Sequence, residues 1–387
     1  MTAYVLAVTA FAAAIPTPLY PVYEEQFHFT SGVLGLTFAA YTPGVFLTLF
    51  FVAPMAEHLG RKKLLLLGMS LTALGSLAFA FAPDVLWLAI ARVILGLGVG
   101  STTSVATAAM SDLEPRRDQH HVARAAVAAN FGGFAIGALL SGLTYFAIHS
   151  LTIVYVLPLV ASGLGAWAVH VTPETAEVKR EPHRFRIQQI SVPPELRAPF
   201  WVSVGGLTAC YSLYGLFAAL VPSYVRSGLG NTSPLTAGSI VALMFGMVAI
   251  TQLATSEVRD RRALLIGLPL LFVTLVALVA ILPLNTWGLL VVVTGALGLA
   301  VGLTFMGSVT LIDRTVPQEE RGEILAGFYA AGYLALAVPT IGVAEASLSI
   351  GLANAGLLFG SILAVVVLVL FLQTFRTPTP PGGGGLP

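Results

Sequence analysis

Charge is what this sequence has least of. Asp, Glu, Lys and Arg make up 10% of its 387 residues, against about a quarter in an ordinary soluble domain. There is one cysteine, Cys210, which excludes an internal disulfide and a thiolate metal cluster. Its 19 Lys and Arg against 18 Asp and Glu leave a net charge of +1. No basic face is available, which argues against nucleic acid as a partner. No Walker sequence is present, so ATP drive is not expected. Nothing resembles a catalytic triad or a zinc site, so no enzyme, cofactor or metal is expected. No Asp or Glu falls in the middle of a long apolar run. Glu24 and Glu25 follow the first run, Asp84 lies between two, and Glu345 ends another.

What fills the chain instead is apolar: 57% of residues are hydrophobic, and the mean hydropathy is +0.89. A soluble fold cannot hide that much apolar surface, so the solvent is lipid. Twelve runs of bilayer-spanning length can be drawn, at 2–22, 33–55, 64–82, 85–110, 124–148, 152–171, 199–221, 235–256, 264–283, 287–311, 323–344 and 350–372. A signal peptide is the rival reading of 1–22, but no positive segment precedes it. The expected fold is an all-α integral membrane protein.

The basic residues orient it. With the N-terminus inside, every Lys and Arg except Arg92 and Arg226 falls on the inner side. Arg92 lies within a span and Arg226 on the outer side. This is the positive-inside pattern, and it puts both termini in the cytoplasm of a multi-pass inner-membrane protein.

Two charged knots repeat. EHLGRKK at 57–63 and EVRDRR at 257–262 place Glu57 with Glu257 and Arg61 with Arg261. Pro21 and Tyr23 echo Pro222 and Tyr224, Pro83 and Trp87 echo Pro283 and Trp287, and Asp112 echoes Asp313. The chain therefore reads as two pseudo-symmetric six-helix bundles. These are 1–171 and 199–373, with a cytoplasmic linker at 172–198 and a low-complexity, disordered tail at 374–387. Parallel halves related by an axis along the membrane normal are a known transporter plan.

The residues of the first knot, Ala56, Gly60, Arg61 and Lys62, match the loop signature G-x-L-A-D-R-x-G-R-K. Glu57 stands for its Asp and His58 for its first Arg. Arg92, Gly96 and Gly98 match R-x-x-Q-G-x-G, with Leu95 in place of Gln. Gly133, Gly137 and Gly142 match a third pattern, G-x-x-x-G-P-x-x-G-G, which has lost its Pro and one Gly. On these motifs the chain resembles a major facilitator superfamily transporter over essentially its whole length. The third pattern tilts the resemblance toward the drug:proton antiporter type. The resemblance implies alternating access between two rocking bundles.

Gating is expected from Glu57, Arg61, Asp112, Glu257, Arg261 and Asp313, at helix ends on the cytoplasmic side. Glu57 and Arg61 are four apart, a spacing that permits an ion pair on a helix. Lys62 and Lys63 are read as fixing topology alone. Arg92 is the foremost cavity residue, because an Arg that deep in a span is costly unless it faces protein or water. It could bind an anion, organise a water, or hold the start of its helix against the first; snorkelling to the outer surface is the bland reading. Val292 is its repeat partner. Further cavity candidates are Tyr20, Tyr41, Tyr211, Tyr214, Tyr329 and Tyr333, and three amides expected to be buried, Asn130, Gln252 and Asn354. Gly133, Gly137 and Gly142 are expected to pack helices.

The expectation is a secondary transporter, working as a monomer, that exports small amphipathic compounds. Proton coupling is left open by the missing mid-span carboxylate, with Asp112 and then Asp313 as the sites to test. An uptake carrier or exchanger for a metabolite such as an organic anion is the alternative. A receptor or scaffold that kept the fold is a third reading, disfavoured by the retained gating residues.

Overall fold

The structure, a computed structural model, describes residues 1–52, 59–113, 119–172, 174, 197–255, 261–316 and 321–376. The side chains of Asp112, Arg261 and Asp313 lie outside that description. Among the described residues twelve helices are long and apolar enough to cross a membrane. They are α1 Thr2–Phe27, α2 Ser31–Val52, α3 Arg61–Ala80, α4 Val85–Met110, α5 Val122–Ile148, α6 Leu151–Val171, α7 Arg197–Ala219, α8 Pro234–Ala254, α9 Arg262–Leu284, α10 Trp287–Ile312, α11 Ile324–Ile350 and α12 Leu352–Phe375. Their joints cluster at two faces. The terminal face carries Met1 and the end of α12. The opposite face carries the α1–α2, α3–α4 and α7–α8 joints.

Several ends differ from expectation. The helix of α1 continues to Phe27, so Glu24 and Glu25 are helical. That of α11 runs to Ile350, placing Glu345 inside a helix, exposed. The last helix reaches Arg376, so 374–376 continue it rather than starting a tail. Of the linker only Thr172, Glu174, Arg197 and Ala198 are described, and the rest of it and 377–387 lie outside the described residues.

Local sequence explains the interruptions. In α1, Pro16 and Pro18 remove backbone donors, and the helix tightens to a 3-10 turn at Thr17–Leu19 before resuming. Beyond α7 a short helix, Val221–Ser227, continues past Leu220. Both resumed segments carry proline in their first turn, Pro21 and Pro222, where no intrahelical donor is lost.

The repeat is built into the packing. A side chain on Gly68 of α3 would collide with Thr102 of α4, and one on Gly267 of α9 with Thr304 of α10. Between halves, Gly35 of α2 lies against Ile341 and Ala344 of α11, while Gly238 of α8 lies against Ala138 of α5. These are the same contact made twice, once on each side of a pseudo-twofold axis. Small residues there let backbones approach, which is how helices associate when lipid offers no hydrophobic contrast.

A candidate site between the two halves

Aromatic rings meet where the halves face each other. Tyr41 of α2 and Tyr333 of α11 have ring centroids 6.5 Å apart, and Tyr333 is 5.3 Å from Tyr211 of α7. Tyr211 is 5.6 Å from Tyr214 on the same helix face, the i,i+3 neighbour. Phe131 of α5 lies 5.6 Å from Tyr214 and 5.5 Å from Phe305 of α10. Phe134 of α5 lies 4.1 Å from Phe245 of α8, which is 5.2 Å from Tyr214. The chain of rings passes between halves at four helix pairs, α2 with α11 and α5 with α7, α8 and α10. Such edge and tilted contacts hold flat apolar surface in fixed orientation.

A few polar groups lie on the helices that carry these rings. The Tyr214 hydroxyl is buried with no hydrogen-bond partner among the described residues, and so is the Gln252 side-chain nitrogen on α8. Unmade bonds of this kind cost free energy and mark atoms a ligand can satisfy. Asn130 is half-buried, one residue before Phe131. Tyr329 is half-buried, its ring edge-on to Phe328 at 5.4 Å. Asn354 is not a buried amide: it is exposed on α12, and its side chain donates to the Ile350 carbonyl at 2.8 Å. Phe131, Phe134, Phe245 and Phe305 were not among the expected residues. Three of them adjoin glycine, in Phe131-Gly132-Gly133-Phe134 and Phe245-Gly246, while Phe305 does not.

Arg92 stands apart from the ring cluster and does not snorkel. It is 2% exposed. Its Nε donates to the Tyr20 hydroxyl at 2.6 Å and its Nη1 to the Ala13 carbonyl at 3.0 Å, so it ties α4 to α1. The guanidinium carbon lies 5.2 Å from the Tyr20 and Phe38 ring centroids and 5.7 Å from that of Phe79, so the charge is enclosed by ring faces. Its Nη2 is buried without a partner among the described residues.

The repeat partner of Arg92 is not Val292. Val292 is 68% exposed, facing outward from α10. The buried positions of α4, Leu88, Ala91, Arg92 and Leu95, match Leu290, Val293, Thr294 and Leu297 of α10. Gly96 against the Tyr41 carbonyl and Gly298 against the Met244 carbonyl keep the same register. The interior counterpart of Arg92 is therefore Thr294, buried, its hydroxyl unpartnered among the described residues.

Glu57 and Glu257 lie outside the described residues, as do the side chains of Asp112, Arg261 and Asp313. At Arg61 the described contact is of the backbone. The amides of Arg61 and Lys62 each donate at 3.1 Å to the carboxylate of Glu174, just past α6. A carboxylate at a helix N-terminus is favourable both as a cap and against the helix dipole. Lys62 does more than set topology, because its Nζ donates at 2.6 Å to the His170 carbonyl near the end of α6. Gly133 and Gly137 pack against Ala7 and Phe11 of α1, and Gly142 against Pro234 and Leu235 of α8, where any side chain would overlap backbone.

Known proteins fit this picture. A gallate transporter of Pseudomonas putida is 33% identical over 113 residues, 29% of this chain and 22% of that protein. The quinolone resistance protein NorA of Staphylococcus aureus is 26% identical over 140 residues, 34% of each chain. The chain thus spans about a fifth to a third of these curated relatives. An uncharacterised MFS-type transporter of Bacillus subtilis, YwfA, is 25% identical over 399 residues, 97% of this chain and 92% of that one. The crystal structure of a D-xylose-proton symporter superposes with a TM-score of 0.76 at 14% identity, covering 100% of this chain and 98% of that one, a likeness of fold. The family model of the Major Facilitator Superfamily matches residues 2–340. With twelve helices long and apolar enough to span a membrane, a duplicated packing plan and that match, the chain belongs to the Major Facilitator Superfamily.

Proposed function

We propose that this transporter exports small amphipathic compounds with flat apolar bodies. The observation that carries this reading is the run of aromatic rings between the halves, with the buried, unpartnered Tyr214 hydroxyl within it. Apolar walls with a few placed polar groups suit ligands of this class. The partial match to NorA agrees with it. The terminal face is cytoplasmic in this proposal, as the distribution of Lys and Arg requires. Residues 1–171 and 199–373 rock as units about the site, linked by 172–198, in a monomer. Glu57, Arg61, Asp112, Glu257, Arg261 and Asp313 control the cytoplasmic side, and an imposed pH gradient supplies the drive.

The test is flux in proteoliposomes with aromatic cationic and neutral dyes under an imposed pH gradient. Tyr211→Ala and Tyr333→Ala should each cut flux roughly three- to tenfold, the worth of one or two ring contacts. Tyr211→Phe and Tyr333→Phe should retain most of it. Equal flux in all four variants would remove the aromatic site, and flux that ignores the gradient in the parent protein would remove proton drive.

One observation favours a second reading, an organic-anion carrier: the buried, unpartnered Nη2 of Arg92. A planar guanidinium grips a carboxylate through two nitrogens, which Lys cannot do. Under this reading aromatic carboxylates are carried, and Arg92→Lys abolishes their flux as fully as Arg92→Gln. Normal flux in the Lys variant would reject it.

A further inference from the structure

Arg226 is the anomaly in the charge pattern. Among the described Lys and Arg residues, it alone lies on the face opposite the termini outside a span. The structure gives it work there. It sits on the short helix Val221–Ser227 that continues α7. Its Nη2 pairs with Glu25 of α1 at 2.8 Å, and its Nη1 donates to the Pro21 carbonyl of α1. Three residues earlier on the same helix, the Ser223 hydroxyl donates to the Glu24 carboxylate at 2.8 Å. Every one of these bonds joins the first half to the second.

The positions are not arbitrary. Pro21 and Tyr23 correspond to Pro222 and Tyr224, and the same step carries Glu25 to Arg226. Glu25 and Arg226 are one position of the repeat, seen twice. The pseudo-twofold axis passes between the two segments, so whatever stands at this position meets its own counterpart. A like-charged pair would repel across the axis. This chain has opposite charges there, and they touch.

We propose that Glu24, Glu25, Ser223 and Arg226 form a latch that holds the opposite face closed, with Arg226 as a positioning residue for alternating access. The contact has to break for that face to open. Its strength suits the task. Glu25 is mostly exposed, and an exposed ion pair shifts an equilibrium only several-fold. Three weak bonds bias the closed state without trapping it. The inference rests on membership of the superfamily and not on which compound is carried.

Distances between spin labels test it without any substrate. Cys210, the single cysteine, is buried, so a Cys210→Ala background accepts labels at Gln26→Cys and Thr232→Cys, both exposed near the latch. In nanodiscs the background protein should show mainly the short distance. Arg226→Glu and Glu25→Arg should each raise the open population roughly three- to tenfold, the effect of losing a pair and gaining a repulsion. The double variant Glu25→Arg/Arg226→Glu should bring it back to within about twofold of the parent. Ser223→Ala, which cannot disturb folding through charge, should shift it less but in the same direction. Unchanged distances in both single variants and in Ser223→Ala would overturn the latch. So would a double variant that opens as far as the two single changes combined, since that denies the pairing. A failed dye-flux assay leaves these readings intact, so the two proposals fail separately.

Discussion

Near the face opposite the termini, each half has an interior built from equivalent positions, and the two are filled in opposite ways. In the first half Ala12, Ile15, Leu19, Tyr23, Leu88 and Tyr155 pack together with Phe79. The Phe79 and Tyr155 rings stack at 5.4 Å with 8° between planes, and the Tyr23 hydroxyl donates to that of Tyr155 at 3.0 Å. In the second half the matching positions, Leu213, Leu216, Leu220, Tyr224, Leu290 and Gly356, line an apolar cavity of about 50 Å³. Gly356 stands where the first half has Tyr155. A ring is missing, and space remains. Beside the filled interior sits Arg92, and beside the empty one Thr294. Symmetry of backbone thus places two interiors, while side chains decide that one is a rigid polar–aromatic block and the other is slack. Rigid packing transmits motion as a unit, because filled cores do not deform gradually.

Three substitutions would break or sharpen that contrast. The largest effect belongs to Tyr155→Ala, which gives the first half a cavity like the second. It removes a stacked ring and orphans the Tyr23 hydroxyl, at a cost of about 3–5 kcal/mol. Thermal melting of the detergent-solubilised protein should fall steeply; a change of only a degree or two would mean the block is not what makes the first half rigid.

Arg92→Met should matter less to stability. Removing a buried cation that has no carboxylate partner among the described residues relieves a desolvation penalty while losing two hydrogen bonds and three ring contacts. The opposing terms should leave a net change of roughly 1 kcal/mol. A collapse in melting temperature would show that a counter-charge stabilises Arg92 in the folded protein.

The smallest effect is expected for Gly356→Ala, a step toward filling the slack half. Its new methyl would sit 3.6 Å from Leu282, an ordinary contact. Replacing a mid-helix glycine should stabilise by up to about 1 kcal/mol. Destabilisation would indicate that the cavity is occupied when the protein is in lipid.

Much of the fold was legible from the letters. Long apolar runs revealed the spans, because only a helix can satisfy its own backbone in hydrocarbon. The echo of Pro21 and Tyr23 in Pro222 and Tyr224 revealed the duplication, and the motif residues around Arg61 and Arg92 pointed to the family. The site was legible in part. Tyr41, Tyr211, Tyr214 and Tyr333 were expected and do converge, whereas Phe131, Phe134, Phe245 and Phe305 were missed and Asn354 was misplaced.

What the sequence determined by itself is what the bilayer enforces one residue type at a time: span length, span number and the family motifs. What only the tertiary structure decided is which way each helix turns. In water an apolar stripe marks the buried face. In lipid the outward face is apolar too, so no apolar stripe marks which face is buried, and sequence offset alone paired Arg92 with the outward Val292 instead of Thr294; nor could Glu25 be seen to reach Arg226. Helix rotation and pairing are fixed by close packing at glycines such as Gly35, Gly96 and Gly298, and packing becomes visible only when both partners are in place.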